Sequence, residues 1–276
     1  MKLLLPTENL PYDADLIAEI DRDMKTIYRL LVFDDRFHSS GLMGRYQEAV
    51  QHLREVLSIK NAQQEAHTFE EAQAYLVRLK EGMALITEEI REHRSLSGPV
   101  DIFRLFRAIA PEAATRHAND YRRTLVVVGG YYAPEPERVA GLMEQLFLNL
   151  PQIEHPVIRS AYLHHEFVRI HPFVDGNGRV GRMAKNWLLM YELFPPVFIY
   201  GGSDHARYIR GLEASFAALE EDGLTANEAT HSFFRDELYR TRASIQFILH
   251  RMLREQQAPF GPEDDDITPF PARVRE

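Results

Sequence analysis

The stretch from His171 to Arg182 gathers a histidine, a carboxylate, two arginines and a glycine-rich turn within a short span. It reads His-Pro-Phe-Val-Asp-Gly-Asn-Gly-Arg-Val-Gly-Arg. The glycines at positions 176 and 178 allow bare backbone N–H groups to approach a ligand closely. A helix that begins there adds a favourable potential for an anion at its N-terminus. We therefore expect Gly176 and Gly178 to line a site for phosphate groups.

The side chains of this stretch suit the separate parts of a metal-bound polyphosphate. Asp175 provides a hard oxygen ligand for a Mg²⁺ ion that bridges neighbouring phosphates. Asn177 can donate an amide hydrogen bond to the same group. Arg179 and Arg182 are three residues apart and share one helix face, so both guanidinium groups can hold phosphate oxygens. His171 lies at the far end of the loop, where its imidazole can accept the proton of an attacking hydroxyl.

The combination is more specific than any of its parts. A histidine or an arginine on a loop usually has an ordinary structural role. Eight positions of this stretch nevertheless carry the residue types that such a site needs. At about 5% usage per residue type, a chance match at eight positions occurs in about one window in 10¹⁰. Phe173 completes the set, because its ring is expected to anchor the loop in the core.

The stretch resembles the signature of the Fic (filamentation induced by cAMP) domain family, His-Pro-Phe-x-Asp/Glu-Gly-Asn-Gly-Arg-x-x-Arg, and the signature is complete here. Fic enzymes transfer a nucleotide monophosphate, usually AMP from ATP, to a protein hydroxyl. The resemblance therefore implies a Mg²⁺-dependent transfer of AMP to a serine, threonine or tyrosine of a target protein, with release of pyrophosphate. In that reaction His171 would be the general base and Asp175 the metal ligand.

The same resemblance assigns the phosphate-binding groups. The backbone from Gly176 to Gly178, together with the Asn177 side chain, would stabilise the α-phosphate as charge develops there. Arg179 and Arg182 would hold the β- and γ-phosphates, which leave as pyrophosphate. ATP is therefore the expected nucleotide donor and Mg²⁺ the expected cofactor.

The base-binding residues depart from the pattern of some relatives. Several AMP-transferring relatives carry a Tyr-Tyr pair after the motif, followed seven residues later by an asparagine that reads adenine. Here Tyr208 is retained, whereas Ile209 and Phe216 occupy the other two places. Tyr208 is our candidate for base binding, and a nucleotide donor other than ATP stays open.

A second departure concerns inhibition. Many Fic proteins carry a helix with the pattern Ser/Thr-x-x-x-Glu-Gly/Asn, whose glutamate pairs with the second arginine of the motif and keeps the γ-phosphate out. The segment Ser39-Ser-Gly-Leu-Met-Gly44 resembles the N-terminal form of that helix, with Met43 where the glutamate would stand. No serine or threonine of the chain is followed four residues later by a glutamate. We therefore expect a degenerate inhibitory motif, with an accidental resemblance at 39–44 as the alternative.

The composition limits the class of protein. The chain has 276 residues, of which 45% are hydrophobic, and a formal net charge of -9. That charge would repel nucleic acid and anionic membranes, so neither is an expected partner. The absence of cysteine excludes disulfides, thiolate metal sites and a cysteine nucleophile. Because we find no apolar run of membrane-spanning length and no signal peptide, we expect a cytoplasmic protein. Homo-oligomerisation stays open.

Helical periodicity dominates the part of the chain that precedes the motif. Apolar residues recur at spacings of three and four over residues 14–32, about 41–57 and 69–91, which predicts three amphipathic helices. A short helix is expected from Asp101 to Ala110, ending at Pro111. Prolines at 136 and 156 begin two further helices, the second of which runs through Ile170 into His171. The motif is therefore expected to connect two helices.

Further helices are predicted after the motif. The segment 179–194 is strongly apolar, and Ser203 is a favourable N-cap for a helix to about residue 222. The tetrapeptide that begins at Thr225 has the pattern of a capping box for a last helix, reaching about residue 256. Prolines and a run of acids then predict a disordered acidic tail at 258–276.

One strand signal interrupts the helices. Residues 124–132 read Thr-Leu-Val-Val-Val-Gly-Gly-Tyr-Tyr, with β-branched residues before a Gly-Gly turn and aromatic residues after it. A lone hairpin in a helical protein leaves an open edge. In Fic proteins a hairpin flap upstream of the motif aligns the target protein by strand addition, and the resemblance implies this role for 124–132. A hairpin that only packs on the helices is the alternative.

Together these signals predict an all-α fold, with a Fic-type helical core, one small β-hairpin flap and an N-terminal helical region. We assign residues 1–95 to the N-terminal helical region and 96–220 to the Fic core. Residues 221–257 are assigned to a C-terminal helix packed on that core, and 258–276 to the tail. No linker long enough to separate independent domains is evident.

Two classes of function fit this sequence. The first is a Fic-type protein adenylyltransferase, and the second is a non-catalytic helical module that binds a nucleotide or a partner. The presence of His171 together with Asp175 favours the enzyme, because a module that only binds has no need of a general base.

We expect Asp175→Ala to remove the Mg²⁺-dependent part of ATP affinity, because the charge that holds the metal is lost. The loss should reach about tenfold or more, given that even indirect supports of a metal site are worth about 10–100-fold. Calorimetry of both proteins with and without Mg²⁺ measures it. Equal ATP affinity of the wild type in the two conditions would exclude Asp175 from this role.

Overall fold

The computed structural model describes residues 4–32, 42–117, 120–199, 202–221 and 225–253. Within those ranges it contains ten α-helices and one two-stranded hairpin. The helices are α1 (Ala14–Val32), α2 (Leu42–Glu65), α3 (Phe69–Arg91), α4 (Pro99–Ile109), α5 (Pro111–His117), α6 (Pro136–Asn149), α7 (Pro156–Ile170), α8 (Asn177–Tyr191), α9 (Gly202–Glu221) and α10 (Glu228–Leu253). The hairpin strands are β1 (Val127–Val128) and β2 (Tyr131–Tyr132). The prediction of an all-α fold with a single small hairpin is confirmed.

The predicted helices lie close to their observed positions, with two differences. α2 continues to Glu65, because Ser58, Asn61 and Ala62 are buried and extend its inner face beyond the predicted end. Pro111, predicted as a stop, instead begins α5, since proline is well accommodated in the first turn of a helix. The predicted tail at 258–276 lies outside the described residues.

α7 and α8 lie at the centre of the protein and carry the two ends of the candidate site. Almost every residue of α7 from Val157 to Ile170 is buried, and so is α8 from Asn177 to Met190, apart from half-buried Gly178. The two helices pack against each other. A helix that is surrounded on all sides cannot shift without disturbing a close-packed core. The loop between α7 and α8 is therefore held at both ends.

Buried charges tie these central helices to their neighbours. Glu166 on α7 pairs within the same helix with Arg169 at 2.5 Å and with His165 at 2.7 Å, and it accepts a hydrogen bond from the Leu5 N–H at 3.2 Å. Although burial alone would raise the pKa of Glu166, Arg169 and His165 hold it at about 2. Lys185 on α8 pairs with Glu237 on α10 at 2.7 Å. Breaking a buried pair costs about 3–5 kcal/mol, so the Lys185–Glu237 pair holds α8 against α10.

The N-terminal helices pack directly on the rest of the chain. α1 and α2 contact α10, whereas α3 contacts α4 and α8. Their buried apolar side chains join those of the motif helices in one hydrophobic cluster. The division of the chain at residues 95 and 220 stays a prediction. None of the described helices is both long and apolar enough to span a bilayer.

The predicted flap forms a hairpin that is shorter than its sequence signal. Val127 pairs with Tyr132 and Val128 with Tyr131. Gly129 and Gly130 form the turn with φ values of 56° and 89°. Positive φ at both central residues is what a two-residue turn of type I′ requires. The Gly-Gly pair therefore explains why the chain reverses here.

The N-terminus of α10 has a different cap from the predicted one. The side-chain oxygen of Asn227 accepts hydrogen bonds from the N–H groups of Ala229 at 3.1 Å and Thr230 at 3.2 Å. Asparagine is among the best capping residues, because its side-chain oxygen satisfies donors that the first helical turn leaves unpaired. Asn227 therefore takes the capping role that the sequence assigned to Thr225.

We expect Asn227→Ala to lower the free energy of unfolding by about 1 kcal/mol through loss of this cap. In a chain of this size the corresponding fall in Tm is about 2 °C. Thr225→Ala is the matched control and should change stability by less than about 0.5 kcal/mol. Urea and thermal unfolding of the three proteins test the assignment, which an equal effect of both substitutions would contradict.

Candidate active site

His171 lies at the C-terminal end of α7 in a left-handed conformation, with φ 51° and ψ 62°. Its backbone N–H donates to the carbonyl of Phe167 at 3.0 Å. Its ring atom Nδ1 lies 3.3 Å from the carbonyl oxygen of Val168. Because a carbonyl oxygen only accepts, Nδ1 carries the hydrogen, and the neutral ring has its lone pair on Nε2. The imidazole can therefore accept a proton through Nε2.

Asn177 fixes the shape of the loop between the two helices. Its Oδ1 accepts a hydrogen bond from the Phe173 N–H at 2.9 Å, and its Nδ2 donates to the Phe173 carbonyl at 2.8 Å. Phe173 is buried and stacks on Phe106 with ring centroids 3.8 Å apart, in the anchoring position that the sequence predicted. The structure thus places both ends of the Asn177 amide on the loop and not towards a phosphate. What Asn177 offers to a ligand is its backbone N–H.

Gly176 turns the chain into α8 with a φ of 80°. A Cβ at this position would lie 2.8 Å from the Cβ of Ala110, too close for an ordinary contact. The Val180 N–H donates to the Gly176 carbonyl at 3.0 Å, which is the first bond of the helix. The N–H groups of residues 177 to 179 therefore have no carbonyl acceptor within α8. This helix end has the features of the anion site that the sequence predicted.

Asp175 extends from the loop into solvent, with 64% of its side chain exposed. Its Oδ1 accepts a hydrogen bond from the Gly176 N–H at 2.6 Å. One carboxylate beside a phosphate site is a common Mg²⁺ environment, because this ion takes most of its ligands from phosphate oxygens and water. Among the described residues no group of three or more metal-binding side chains occurs. Asp175 therefore fits a Mg²⁺ ion whose other ligands come from the nucleotide and solvent.

Arg179 is buried beside the phosphate-binding end of α8, and its guanidinium is already in contact with several groups. Nη1 donates to the Ile109 carbonyl at 3.2 Å, and Nη2 lies 2.7 Å from the carboxylate of Glu112. The Cζ atom lies 3.9 Å above the centre of the Tyr75 ring. Asp175 is 4.0 Å away. A phosphate would therefore have to share Arg179 with these groups or displace one of them.

Arg182 points from α8 towards α2. Its Nε donates a hydrogen bond to Oδ1 of Asn61, and both side chains are buried. The amide nitrogen of Asn61 has no hydrogen-bond partner among the described residues. A buried donor without an acceptor is costly, so an oxygen-rich ligand beside Arg182 would be stabilised by this group.

The inhibitory role expected for residues 39–44 stays a prediction, and the structure adds a contact of Arg182 with Asn61 further along α2. Residue 43 lies eighteen residues before Asn61 in the same helix, which is about 27 Å along the axis at 1.5 Å per residue. In the part of α2 whose side chains are described, Asn61 accepts a hydrogen bond from Arg182. Residues 39–41 and the side chain of Met43 lie outside what the structure describes.

Tyr208 is not presented to the candidate site. Its side chain is buried, its hydroxyl lies 3.1 Å from Nε2 of His164, and its ring stacks on the His164 ring with centroids 5.5 Å apart. The ring of His205 stacks at 6.2 Å. The base of a nucleotide would have to displace these neighbours to reach the Tyr208 ring. The packing therefore gives no support to the predicted role of Tyr208 in binding the nucleotide base. Burial lowers the pKa of His164 to about 4, which keeps that imidazole neutral at pH 7.

The sequence match decides the family. Residues 100–189 match the Fic/DOC family, and this range includes the hairpin, α7, the loop and most of α8. The chain carries a Fic domain. The matched residues contain the helix-loop-helix with His171 at one end and the turn at Gly176 at the other.

Curated relatives carry the same family name. The protein adenylyltransferase Fic of Culex quinquefasciatus is 30% identical over 208 residues, which cover 73% of this chain and 41% of the relative. The protein of the same name from Drosophila grimshawi is 42% identical over 103 residues, covering 36% of this chain and 21% of the relative. The chain thus spans less than half the length of these relatives.

Solved structures share the fold beyond the Fic domain itself. A crystal structure of a Fic-domain-containing signalling protein from Bacteroides thetaiotaomicron aligns with 87% of this chain and all of that chain, with a TM-score of 0.66 and 19% identity. Fic-1 from C. elegans aligns with 87% of this chain and 73% of that chain, with a TM-score of 0.63 and 18% identity. The Fic-type helical fold is therefore confirmed.

Sequence reasoning missed several contacts of the Fic domain. Asn61 was detectable in part, because it follows Leu53 and Leu57 at steps of four and so places a polar residue on the buried face of α2. Glu112 falls where a helix end was predicted, and nothing in its local sequence links it to Arg179. Contacts of this kind join distant parts of the chain, and periodicity carries no information about them.

We expect Asn61→Glu to weaken Mg·ATP binding by about tenfold or more, because a hydrogen bond to a charged group is worth about 1.5–3 kcal/mol. The new carboxylate would hold Arg182 more tightly and would repel the phosphates. Gln63→Glu adds the same charge on the exposed face of α2 and should leave affinity within about twofold. Calorimetry of the three proteins at one salt concentration measures the difference. Equal affinities of wild type and Asn61→Glu would show that Asn61 does not face the nucleotide.

Proposed function

We propose that this Fic-domain protein transfers AMP from ATP to the hydroxyl of a serine, threonine or tyrosine in a target protein. The observation that carries the proposal is the short loop that places His171 opposite the N-terminus of α8. A proton acceptor and a phosphate-binding helix end are thereby joined in one rigid turn. The curated relatives named as protein adenylyltransferases support the same reaction.

In the proposed reaction one bond forms and one breaks. The target hydroxyl oxygen attacks the α-phosphorus of ATP, and Nε2 of His171 takes its proton. The bond from the α-phosphorus to the oxygen that bridges to the β-phosphate breaks, and pyrophosphate leaves with that electron pair. Backbone N–H groups of residues 177 to 179 stabilise the negative charge on the α-phosphate oxygens.

The remaining charged groups bind the donor. Asp175 would hold Mg²⁺, whose charge offsets that of the phosphates. Arg182 is the proposed partner of the γ-phosphate, with the amide nitrogen of Asn61 beside it as a second donor. Arg179 would bind the β-phosphate either through Nε, which has no hydrogen-bond partner among the described residues, or by exchanging Glu112 for a phosphate oxygen at Nη2. Glu112 is therefore a competitor of the nucleotide for Arg179.

The flap is the proposed docking edge for the target. Apolar side chains at its surface are unusually exposed, with Leu125 at 71%, Val127 at 54% and Tyr132 at 72%. A short antiparallel pair with an open edge can accept a third strand through backbone hydrogen bonds, which align a target segment with little dependence on its side chains. Such docking would present a hydroxyl of the target to His171.

We expect the wild-type protein to add one AMP to a lysate protein or to itself when ATP is supplied, and His171→Ala to lose that transfer while ATP still binds. General-base removal typically costs about 10² to 10⁴ in rate. Intact-mass analysis after incubation with each of the four nucleoside triphosphates measures the product and identifies the donor. Calorimetry with ATP checks binding by both proteins.

Two results would contradict this prediction. Transfer by His171→Ala at the wild-type rate would exclude His171 as the base. A wild type that binds ATP and gives no nucleotide adduct in any lysate would favour a binding module. If an adduct forms only with another nucleoside triphosphate, the proposed transfer reaction stands and the nucleotide donor is not ATP.

A further inference from the structure

Arg122 is a buried cation at the base of the flap, with only 1% of its surface exposed. In the part of the chain that the structure describes, its guanidinium donates to backbone carbonyls and to no carboxylate. A buried charge without a counter-ion is costly unless hydrogen bonds replace its water. The groups that accept from Arg122 therefore show what this residue holds in place.

The acceptors of Arg122 belong to two separate structures. Nε donates to the carbonyl of His171 at 2.7 Å, and Nη2 donates to that of Ile170 at 3.2 Å. Nη1 donates to the carbonyl of Thr124 at 2.8 Å, and Nη2 also donates to that of Pro134 at 2.5 Å. Thr124 precedes β1, and Pro134 follows β2. One planar guanidinium thus joins the end of α7 to both legs of the flap.

The contacts with α7 act on the conformation of His171. The carbonyls of Ile170 and His171 belong to the two peptide planes that flank the Cα of His171, so their directions determine φ and ψ of this residue. A left-handed conformation is unfavourable for a residue other than glycine. Bonding both carbonyls to one rigid donor offsets this cost. The helix dipole also favours a cation at a helix C-terminus.

The contacts of Arg122 with the flap stabilise a hairpin that has little stability of its own. The hairpin has only two pairs of residues, and an isolated two-stranded hairpin is marginally stable in water. The backbone N–H of Arg122 donates to the carbonyl of Pro172 at 2.9 Å, which adds another link to the loop that follows His171. The base of the flap is thereby held at a fixed distance from the imidazole.

We propose that Arg122 is a positioning residue that sets the orientation of His171 relative to a target segment bound on the flap. The inference rests on the proposed AMP transfer, because it concerns the geometry between a target hydroxyl and the base. Arg122 touches neither the phosphate-binding turn nor Asp175. Its loss should therefore change the transfer step and leave nucleotide binding as it is.

Three variants separate this role from a general effect on stability. Arg122→Met removes every guanidinium bond and keeps an apolar chain of similar length. Arg122→Lys keeps the charge, but a single nitrogen cannot reach all four carbonyls. Arg159→Met is the control, because Arg159 also donates to two carbonyls, those of Ile153 and Glu154, at the opposite end of α7, in addition to its ion pair with Glu192. Arg159 lies twelve residues before His171, which is about 18 Å along the helix.

Two measurements are made on the full chain, well below the Tm of every variant. The first is kcat and KM for transfer, with ATP affinity by calorimetry. The second is hydrogen exchange of the backbone amides of residues 126–133 and 170–173. Because a displacement of about 1 Å between reacting groups costs about 10²-fold, we expect Arg122→Met to lower kcat by that factor with ATP affinity within twofold. Exchange should accelerate in both segments, and Arg122→Lys should give intermediate values.

The outcomes are decisive in each direction. Wild-type kcat or unchanged exchange in Arg122→Met would overturn the proposal, and so would an equal loss of kcat in Arg159→Met. If Arg122→Met fails to fold, a reduced kcat of Arg122→Lys at unchanged ATP affinity supports the proposal, and a wild-type kcat overturns it. If the wild type transfers no AMP, the proposed function fails. The link between Arg122, the flap and residues 170–173 is then judged by exchange alone.

Discussion

The site depends on a reversal of the chain between two buried helices. α7 ends in left-handed His171, and α8 begins after Gly176, which is also left-handed. The reversal is stable because Asn177 binds both backbone groups of Phe173 and because Phe173 stacks on Phe106. Since both helices are enclosed by the core, the two ends of the loop have little freedom. His171 at the end of one helix and the first N–H groups of the next are therefore held in place by the fold itself, and such preorganisation is what the proposed phosphoryl transfer needs.

Four buried arginines of this protein show how the surroundings decide what a guanidinium can do. Arg122 is held by backbone carbonyls and so acts on chain conformation. Arg179 lies on an aromatic ring and beside the Glu112 carboxylate, so a ligand must compete with an anion for it. Arg182 donates to an amide oxygen of Asn61, a weaker acceptor than a carboxylate. Arg240 is fixed by Asp204 and Glu237 and serves the packing of α9 and α10. The same residue type thus takes four roles, which its acceptors distinguish.

Features that depend on residues close together in the sequence were predicted well, and features that depend on distant residues were not. The motif could be recognised because its chemistry is local, and the helices could be placed because burial of one face imposes a period of three to four residues. Helix ends were less predictable. The helix α2 extends past its predicted end because Asn61, a polar residue, is buried, and α10 is capped by Asn227 instead of Thr225. The contacts of Arg122 with His171 and of Arg182 with Asn61 join residues 49 and 121 positions apart. No local pattern specifies such pairs, because each depends on how whole helices pack.

Two aromatic residues after the motif have structural contacts here at positions where some relatives have contacts with the ligand. Phe216 stands where some AMP-transferring relatives place a base-reading asparagine, and here it packs against Tyr131 of the flap at 5.1 Å and against His165 at 5.2 Å. An amide at this position would leave polar groups buried beneath the flap, whereas the phenyl ring buries apolar surface. Tyr208 is enclosed in the same way by His164. The flap thus gains an aromatic contact from Phe216, at a position that reads a nucleotide base in those relatives. In the proposed reaction, recognition of the nucleotide would therefore depend chiefly on its phosphates, at the turn of Gly176 and the arginines of α8.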